Sequence, residues 1–240
     1  MKEKILCVIC CRAGSKGLKN KNILPLAGKP LIAMTIKQAL KWSKAGRVIV
    51  STDSEKIASV ARKHGAETPF LRPRALAGDK TPKLPVIRHA LISCEKIFHE
   101  QYDIIVDLDA TSPIRSISDM DRSLELFRKK RPESLFSVVR SAKNPYFNMV
   151  EEAPDGYFRL SKALKNKVTS RQQAPKVYSM NASIYFYARK FLLDHRNVSP
   201  VSDKSTAYIM GELSRYDIDS ALDFKFIEFL IKERIWRPDV

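Results

Sequence analysis

Short apolar runs separated by polar turns recur along the chain, and their lengths sort them into strands and helices. Residues 4–11 form a β-rich apolar run ended by a Gly, Lys and Asn loop, the pattern of a buried strand. Pro30 suits the first turn of a helix that carries Leu31, Ile32, Met34, Ile36, Ala39 and Leu40 at helical spacing. The strand signal returns at 47–51, 68–71, 103–108, 135–139 and 183–187, and the helical signal at 54–64 and 85–99. Ser118 and Asp121 form a capping pair ahead of a helix through Phe127. An amphipathic helix over 221–235, with Phe224, Ile227, Leu230 and Ile231 on one face, closes the chain.

Strands alternating with helices predict an α/β fold, a mostly parallel sheet covered on both faces. Between 143 and 178 the pattern changes, because Pro145, Pro154, Asp155, Gly156 and Pro175 interrupt short alternating runs. That stretch reads as an irregular insertion or arm on a single domain spanning 1–240.

At 240 residues, with 44% hydrophobic and 29% charged, the chain can bury a sizeable core. No segment approaches the roughly 18 uninterrupted apolar residues of a membrane helix. The N-terminus lacks the pattern of a signal peptide, so the expected compartment is the cytoplasm. Cys7 and Cys10 make a C-x-x-C, but with Cys11 they fall inside the first strand-like run, and Cys94 is remote. Reduced core thiols are therefore expected rather than a zinc set or a disulfide framework. His64, His89, His99 and His195 do not group into a ligand set.

The net charge of +17 admits three partners: nucleic acid, an acidic membrane surface, or a small polyanion. Its distribution narrows them. No acidic residue stands between Glu3 and Asp53, where Lys4, Arg12, Lys16, Lys19, Lys21 and Lys29 all fall. Lys37, Lys41 and Lys44 fit a solvated helix face instead. No RNA-binding aromatic segment, zinc finger or helix-turn-helix signature is present, so nucleic acid is not the expected partner.

The loop Arg12, Ala13, Gly14, Ser15, Lys16, Gly17, followed by Lys21 and Asn22, leaves the C-terminal end of the first strand, where open α/β sheets bind ligands. Glycines admit a phosphate close to the backbone, Ser15 and exposed amides donate hydrogen bonds, and Arg12, Lys16 and Lys21 neutralise charge. It is neither a Walker A loop nor a G-x-G-x-x-G turn, and by itself it also fits a flexible basic turn. Asp217 and Asp219, two apart, point the same way on an extended segment and suit a hard cation. The same spacing also fits Asp219 or Ser220 capping the last helix, with Asp223 completing a capping box.

The opening Arg12 to Gly17, Lys21, Asn22, Ile23, Pro25, Leu26 and Gly28 to Ile32 resembles that of the acylneuraminate cytidylyltransferases. The likeness continues in order through Ser51, Thr52, Asp53, then Arg72, Pro73, Leu76, Ala77 and Asp79, then Thr111, Ser112, Pro113 and Arg115. It ends with Arg171, Gln172, Pro175, Asn181, Asp217 to Asp219, Asp223 and Phe224. The resemblance implies a Rossmann-like nucleotidyltransferase fold, a homodimer formed through the inserted arm, and transfer of CMP from CTP to a nonulosonic acid with release of pyrophosphate. It implies catalytic roles for Arg12 and Lys21, Mg2+ on Asp217 and Asp219, and a structural Asp223. Nucleotide contacts fall to Arg12, Gly14, Ser15, Lys16, Lys21, Asn22 and Arg72, and sugar contacts to Arg171, Gln172 and Asn181. Lys143, in the arm, fits either a reach to a substrate in the partner subunit or, as is commoner for lysine, a solvated side chain.

One departure bears on the substrate. Asp109 and Ala110 stand where the family carries Gln and Pro. An ionised carboxylate only accepts hydrogen bonds, so Asp109 alters sugar recognition and leaves room for a diamino-dideoxy nonulosonic acid of legionaminic or pseudaminic type. A related sugar nucleotidyltransferase using another nucleotide or sugar is the alternative reading.

Overall fold

The computed structural model describes residues 3–14, 17–166 and 169–239 of the chain. Ser15 and Lys16 lie outside the described residues. The first strand, β1 (Ile5–Cys10), is followed by the short pair β2 (Pro25–Leu26) and β3 (Lys29–Pro30), then α1 (Leu31–Lys41) and β4 (Arg47–Ser51). Helices α2 (Glu55–Lys63) and α3 (Lys83–Phe98) precede β5 (Ile104–Leu108), α4 (Ile117–Lys130) and β6 (Ser134–Arg140). The hairpin β7 (Val150–Glu152) and β8 (Phe158–Leu160) leads to β9 (Tyr178–Ala188), α5 (Arg189–Leu193), β10 (Ser205–Ile209) and α6 (Ala221–Lys232).

The central sheet runs β10-β6-β9-β5-β1-β4, with β9 antiparallel to both of its neighbours and every other pairing parallel. Apolar side chains on β1 alternate between two layers. Ile5, Cys7 and Ile9 face Ile32 and Ile36 of α1, Ile57 of α2 and Leu124 of α4, whereas Leu6 and Val8 face Leu84 and Leu91 of α3. A central strand buried on both sides explains why 4–11 reads as a continuous apolar run rather than an alternating one. A third cluster joins Leu26, Leu31 and Met34 to Ile218, Ile227 and Leu230, pinning the end of the chain against its beginning.

Two expectations are corrected. Residues 68–71 form no strand. Pro69 has no amide hydrogen to give a ladder, and the chain meets β4 only where Val50 N donates to the Glu67 carbonyl at 2.8 Å and Glu67 N to that of Val48 at 2.9 Å. The capping pair of α4 is not Ser118 with Asp121 but Ser116 with Asp119, at the same spacing two residues earlier. Starting there buries Met120, Leu124 and Phe127, and Asp121 instead accepts from Trp42 Nε1 at 2.9 Å.

The arm contains a regular hairpin, β7–β8, whose residues are all exposed. The edge strand β10 and the short helix α5 carry no apolar period strong enough to mark them in the sequence. The cysteines are free. Burial pushes the thiols of Cys7, Cys10 and Cys94 up to about 12, which keeps them protonated and inert.

Candidate active site

The loops that follow β1, β4 and β5 enclose a cleft of about 500 Å3 at the C-terminal ends of those strands. Arg12, Lys21, Asn22, Arg72, Asp109 and Asp219 line it, bringing together residues separated by most of the chain.

The loop after β1 is tied down at several points. Ala13 N donates to Asp53 Oδ1 at 2.9 Å, and the buried Asn22 donates its amide to the Arg12 carbonyl at 3.2 Å. Lys21 reaches the other end of the chain. Its Nζ donates to the Ile218 carbonyl and to Asp219 Oδ1, both at 2.8 Å. Gly17 lies against the same segment, where a Cβ would fall 2.1 Å from the Asp219 carbonyl oxygen. Only glycine permits that approach.

The acidic segment is positioned by what lies between its two carboxylates. Ile218 is fully buried and its amide donates to the Thr111 carbonyl at 2.8 Å, so Asp217 and Asp219 on either side turn outward. Asp219 is largely exposed and lines the cleft, whereas Asp217 is half-buried and not part of the lining. Burial, then the Asp219 charge, pushes the Asp217 carboxyl above its ordinary value. The capping role falls to Ser220 with Asp223, leaving Asp217 and Asp219 free of it. Among the described residues no three acidic, Cys or His side chains form a ready-made cage for a metal ion.

Three of the cleft cations, Arg12, Lys21 and Lys83, are held by carboxylates. Arg12 pairs with Asp79 and Lys21 with Asp219. Arg72 is buried and directs its guanidinium to the hydroxyl and carbonyl oxygens of Ser51. At the floor, Lys83 Nζ lies 2.6 Å from Asp107 Oδ2 and 2.9 Å from Asp109 Oδ2. Burial alone would raise the Asp109 carboxyl, but the Lys83 charge and the hydrogen bonds from Thr111 outweigh it and bring it down to about 2. Behind this loop the buried Arg115 donates to the carbonyls of Asp109 and Ser183, to Gln38 Oε1 at 3.1 Å and to Thr35 Oγ1 at 2.9 Å.

The remaining sequence-derived residues lie elsewhere. Gly14 is exposed on the loop after β1, outside the lining. Arg171 and Gln172 are exposed on the arm, at the turn that follows Ser170, and neither lines the cleft. Asn181 is buried beneath a second hollow of about 590 Å3, which also includes Lys143, Arg140, Tyr178 and Arg215. Its amide nitrogen donates to Ser214 O and Oγ, each at 3.0 Å, and its oxygen accepts from Ser137 Oγ at 2.6 Å.

Lys83 and Asp107 were not found from the sequence. The one available signal was a carboxylate inside the apolar strand run, at Asp107; nothing marked Lys83 as its partner.

Residues 6–237 match the model of the cytidylyltransferase family. The chain is 44% identical over 235 residues to the CMP-N,N'-diacetyllegionaminic acid synthase of Campylobacter jejuni, covering 98% of each. It is 33% identical over 233 residues to the N-acylneuraminate cytidylyltransferase of Escherichia coli, covering 94% of this chain and 51% of that protein. Its fold is similar to that of a CMP:2-keto-3-deoxy-manno-octonic acid synthetase solved in complex with CTP, with a TM-score of 0.70 at 16% identity over 97% of this chain and 100% of that one. A cleft at the carboxyl ends of the strands, lined by cations from the first loop and an acid from the last segment, thus sits in a chain that belongs to the cytidylyltransferase family.

Proposed function

We propose that the protein transfers CMP from CTP to a nonulosonic acid, with N,N'-diacetyllegionaminic acid as the first candidate, and releases pyrophosphate. The observation that carries this reading is the meeting of Arg12 and Lys21 with Asp219 in one cleft of a cytidylyltransferase-family chain. The 44% identity to a CMP-N,N'-diacetyllegionaminic acid synthase supports the choice of sugar.

In this reaction the anomeric hydroxyl of the sugar gives up its proton to solvent water and its oxygen forms a bond to the α-phosphorus. The bond from that phosphorus to the bridging oxygen breaks, and pyrophosphate departs with the electron pair. Catalysis of such a step is chiefly positioning and neutralisation of charge. Arg12 and Lys21, held in the free protein by Asp79 and Asp219, re-pair with the triphosphate when it enters. Asn22 and Arg72 support the nucleotide end, Asp109 faces the sugar, and Arg171 with Gln172 meets the sugar's carboxylate when the arm and the substrate come together.

Asp217 and Asp219 fit Mg2+, which is commonly held by one or two carboxylates together with substrate phosphates and water rather than by a closed protein cage. Burial first and the Asp219 charge second hold the Asp217 carboxyl above its ordinary value, and a cation bound there would offset both. Bound there, Mg2+ supplies positive charge to the phosphate oxygens.

The exposed hairpin carries Val150, Phe158 and Leu160, with Met149 and Tyr157 beside it. A lone two-stranded hairpin is marginal in water, and an exposed apolar patch of this kind marks an interface. We assign it to a homodimer, which light scattering behind a sizing column reads as twice the chain mass. We place the enzyme in the cytoplasm, a reading that the four free cysteines support.

The test is pyrophosphate release from CTP and Mg2+ with a panel of sugar acids. Turnover with a nonulosonic acid supports the reading, and none with any member contradicts it.

A further inference from the structure

The floor of the cleft holds a charge cluster that neutralisation of the triphosphate does not use. Lys83, the first residue of α3, stands between two carboxylates of the β5 segment, 2.6 Å from Asp107 Oδ2 and 2.9 Å from Asp109 Oδ2. Its Nζ also lies 4.9 Å from the centre of the Tyr185 ring on β9. Asp107 is 0% exposed, and beyond the ion pair neither of its oxygens accepts a hydrogen bond. Asp109 Oδ1 is fixed from another side, accepting from the Thr111 amide at 3.0 Å and hydroxyl at 2.9 Å.

A purely structural role accounts poorly for this arrangement. Buried ion pairs contribute little net stability, because desolvation consumes the Coulomb gain, and apolar residues of similar volume commonly do as well. Here the pairing is also incomplete, with one ammonium serving two carboxylates. With the buried Arg115 behind the same loop the charges of the cluster are close to balanced, and Asp109 is the carboxylate that it presents to the cleft.

Asp109 is the member that a ligand meets. It lines the cleft, whereas Asp107 lies behind it. Thr111, which holds Asp109, also accepts the amide of Ile218, so the carboxylate is locked to the segment that carries Asp217 and Asp219.

We infer that Lys83 and Asp107 are positioning residues that lock Asp109 as a fixed anionic acceptor, which takes an N–H or O–H donor of the acidic sugar and turns its carboxylate away. The inference rests on the CMP-transfer reading above. Asp107 anchors Lys83, Lys83 aims the Asp109 carboxylate, and that carboxylate sets the sugar's orientation relative to the α-phosphate. The nucleotide is assigned to other residues of the lining, Arg12, Lys21, Asn22 and Arg72.

The experiment compares the full-length wild-type chain with two variants, Asp109→Asn and the double variant Lys83→Gln/Asp107→Asn. The double variant removes one charge of each sign and keeps hydrogen-bonding groups of similar size. Cooperative thermal unfolding establishes that each is folded, and separate saturation curves give KM for CTP and for the sugar. Both variants are expected to raise the sugar KM by roughly tenfold or more, the equivalent of one charge-assisted hydrogen bond, with the CTP KM within about twofold of wild type. If one variant fails to fold, the other decides the matter by the same split. Parallel rises in both KM values, or an unchanged sugar KM in a folded variant, would overturn the inference while leaving CMP transfer intact. A wild-type chain that turns over no sugar acid removes the parent reading and this inference with it.

Discussion

Lys21 Nζ and Asp219 Oδ1 lie 2.8 Å apart although 198 residues separate them in the chain. The contact joins the candidate phosphate-binding loop to the candidate metal-binding segment, so the free protein pairs a cation proposed to bind CTP with an acid. Replacing Asp219 by Asn releases that cation. Metal-free CTP is then expected to bind Asp219→Asn more tightly than wild type, while magnesium-dependent turnover falls. Lys21→Met is expected to weaken CTP binding and to lower kcat/KM by on the order of a hundredfold, the usual effect of removing one charge-stabilising donor. Calorimetry without metal separates the two variants, and equal weakening in both would contradict the arrangement.

Gly17 approaches the same segment so closely that alanine cannot be accommodated without backbone movement, its Cβ falling 2.1 Å from the Asp219 carbonyl oxygen. Gly17→Ala is expected to destabilise the protein by about 1–3 kcal/mol and to weaken CTP binding in parallel. Thermal denaturation and CTP titration check it. A variant with wild-type values in both would show that the loop does not dock here.

Activity should carry an acid limb set by Asp217. Burial first and the Asp219 charge second raise its carboxyl above the ordinary value, so it takes up a proton at a higher pH than a surface aspartate does. As pH falls, the protonated form loses its affinity for a cation and the rate declines. Proton and metal compete for the same oxygens, so more Mg2+ should move the limb to lower pH. A limb that stays in place across a wide range of Mg2+ concentration would contradict Asp217 as a ligand.

Asn181 offers a test between a structural and a sugar-binding role. Its amide is engaged with Ser214 and Ser137, at the point where β6 shifts register between Phe136 and Val138 opposite β9. Asn181→Ala leaves buried partners unsatisfied and is expected to cost about 1–3 kcal/mol. In a chain of this size that corresponds to a melting temperature lower by roughly 2–12 °C. A melting temperature unchanged alongside a raised sugar KM would instead make Asn181 a direct contact.

The layered α/β architecture was legible because the central strands are buried on both faces and leave continuous apolar runs, as at Ile5–Cys10 and Ile104–Leu108. Helix ends were less so. Ser116 with Asp119 and Ser118 with Asp121 share one spacing, and only the packing of Met120, Leu124 and Phe127 chooses between them. Strand β10 was missed because the edge of a sheet needs no buried period, and its residues are half-exposed. At the cleft, the loop from Arg12 to Asn22 announced itself by composition. The convergence of Lys83 with Asp107 and Asp109 did not, since it depends on the first residue of α3 reaching the end of β5 in the folded chain, and no local spacing records that meeting.

The most direct measurement of the central claim follows pyrophosphate and CMP-sugar formation together. CTP and Mg2+ are supplied in parallel with N,N'-diacetyllegionaminic, pseudaminic, N-acetylneuraminic and 3-deoxy-manno-octulosonic acids. The account predicts one pyrophosphate for each CMP-sugar formed, with N,N'-diacetyllegionaminic acid giving the highest kcat/KM. Absence of a CMP-linked product with all of these sugars, from a folded protein that binds CTP, would contradict it.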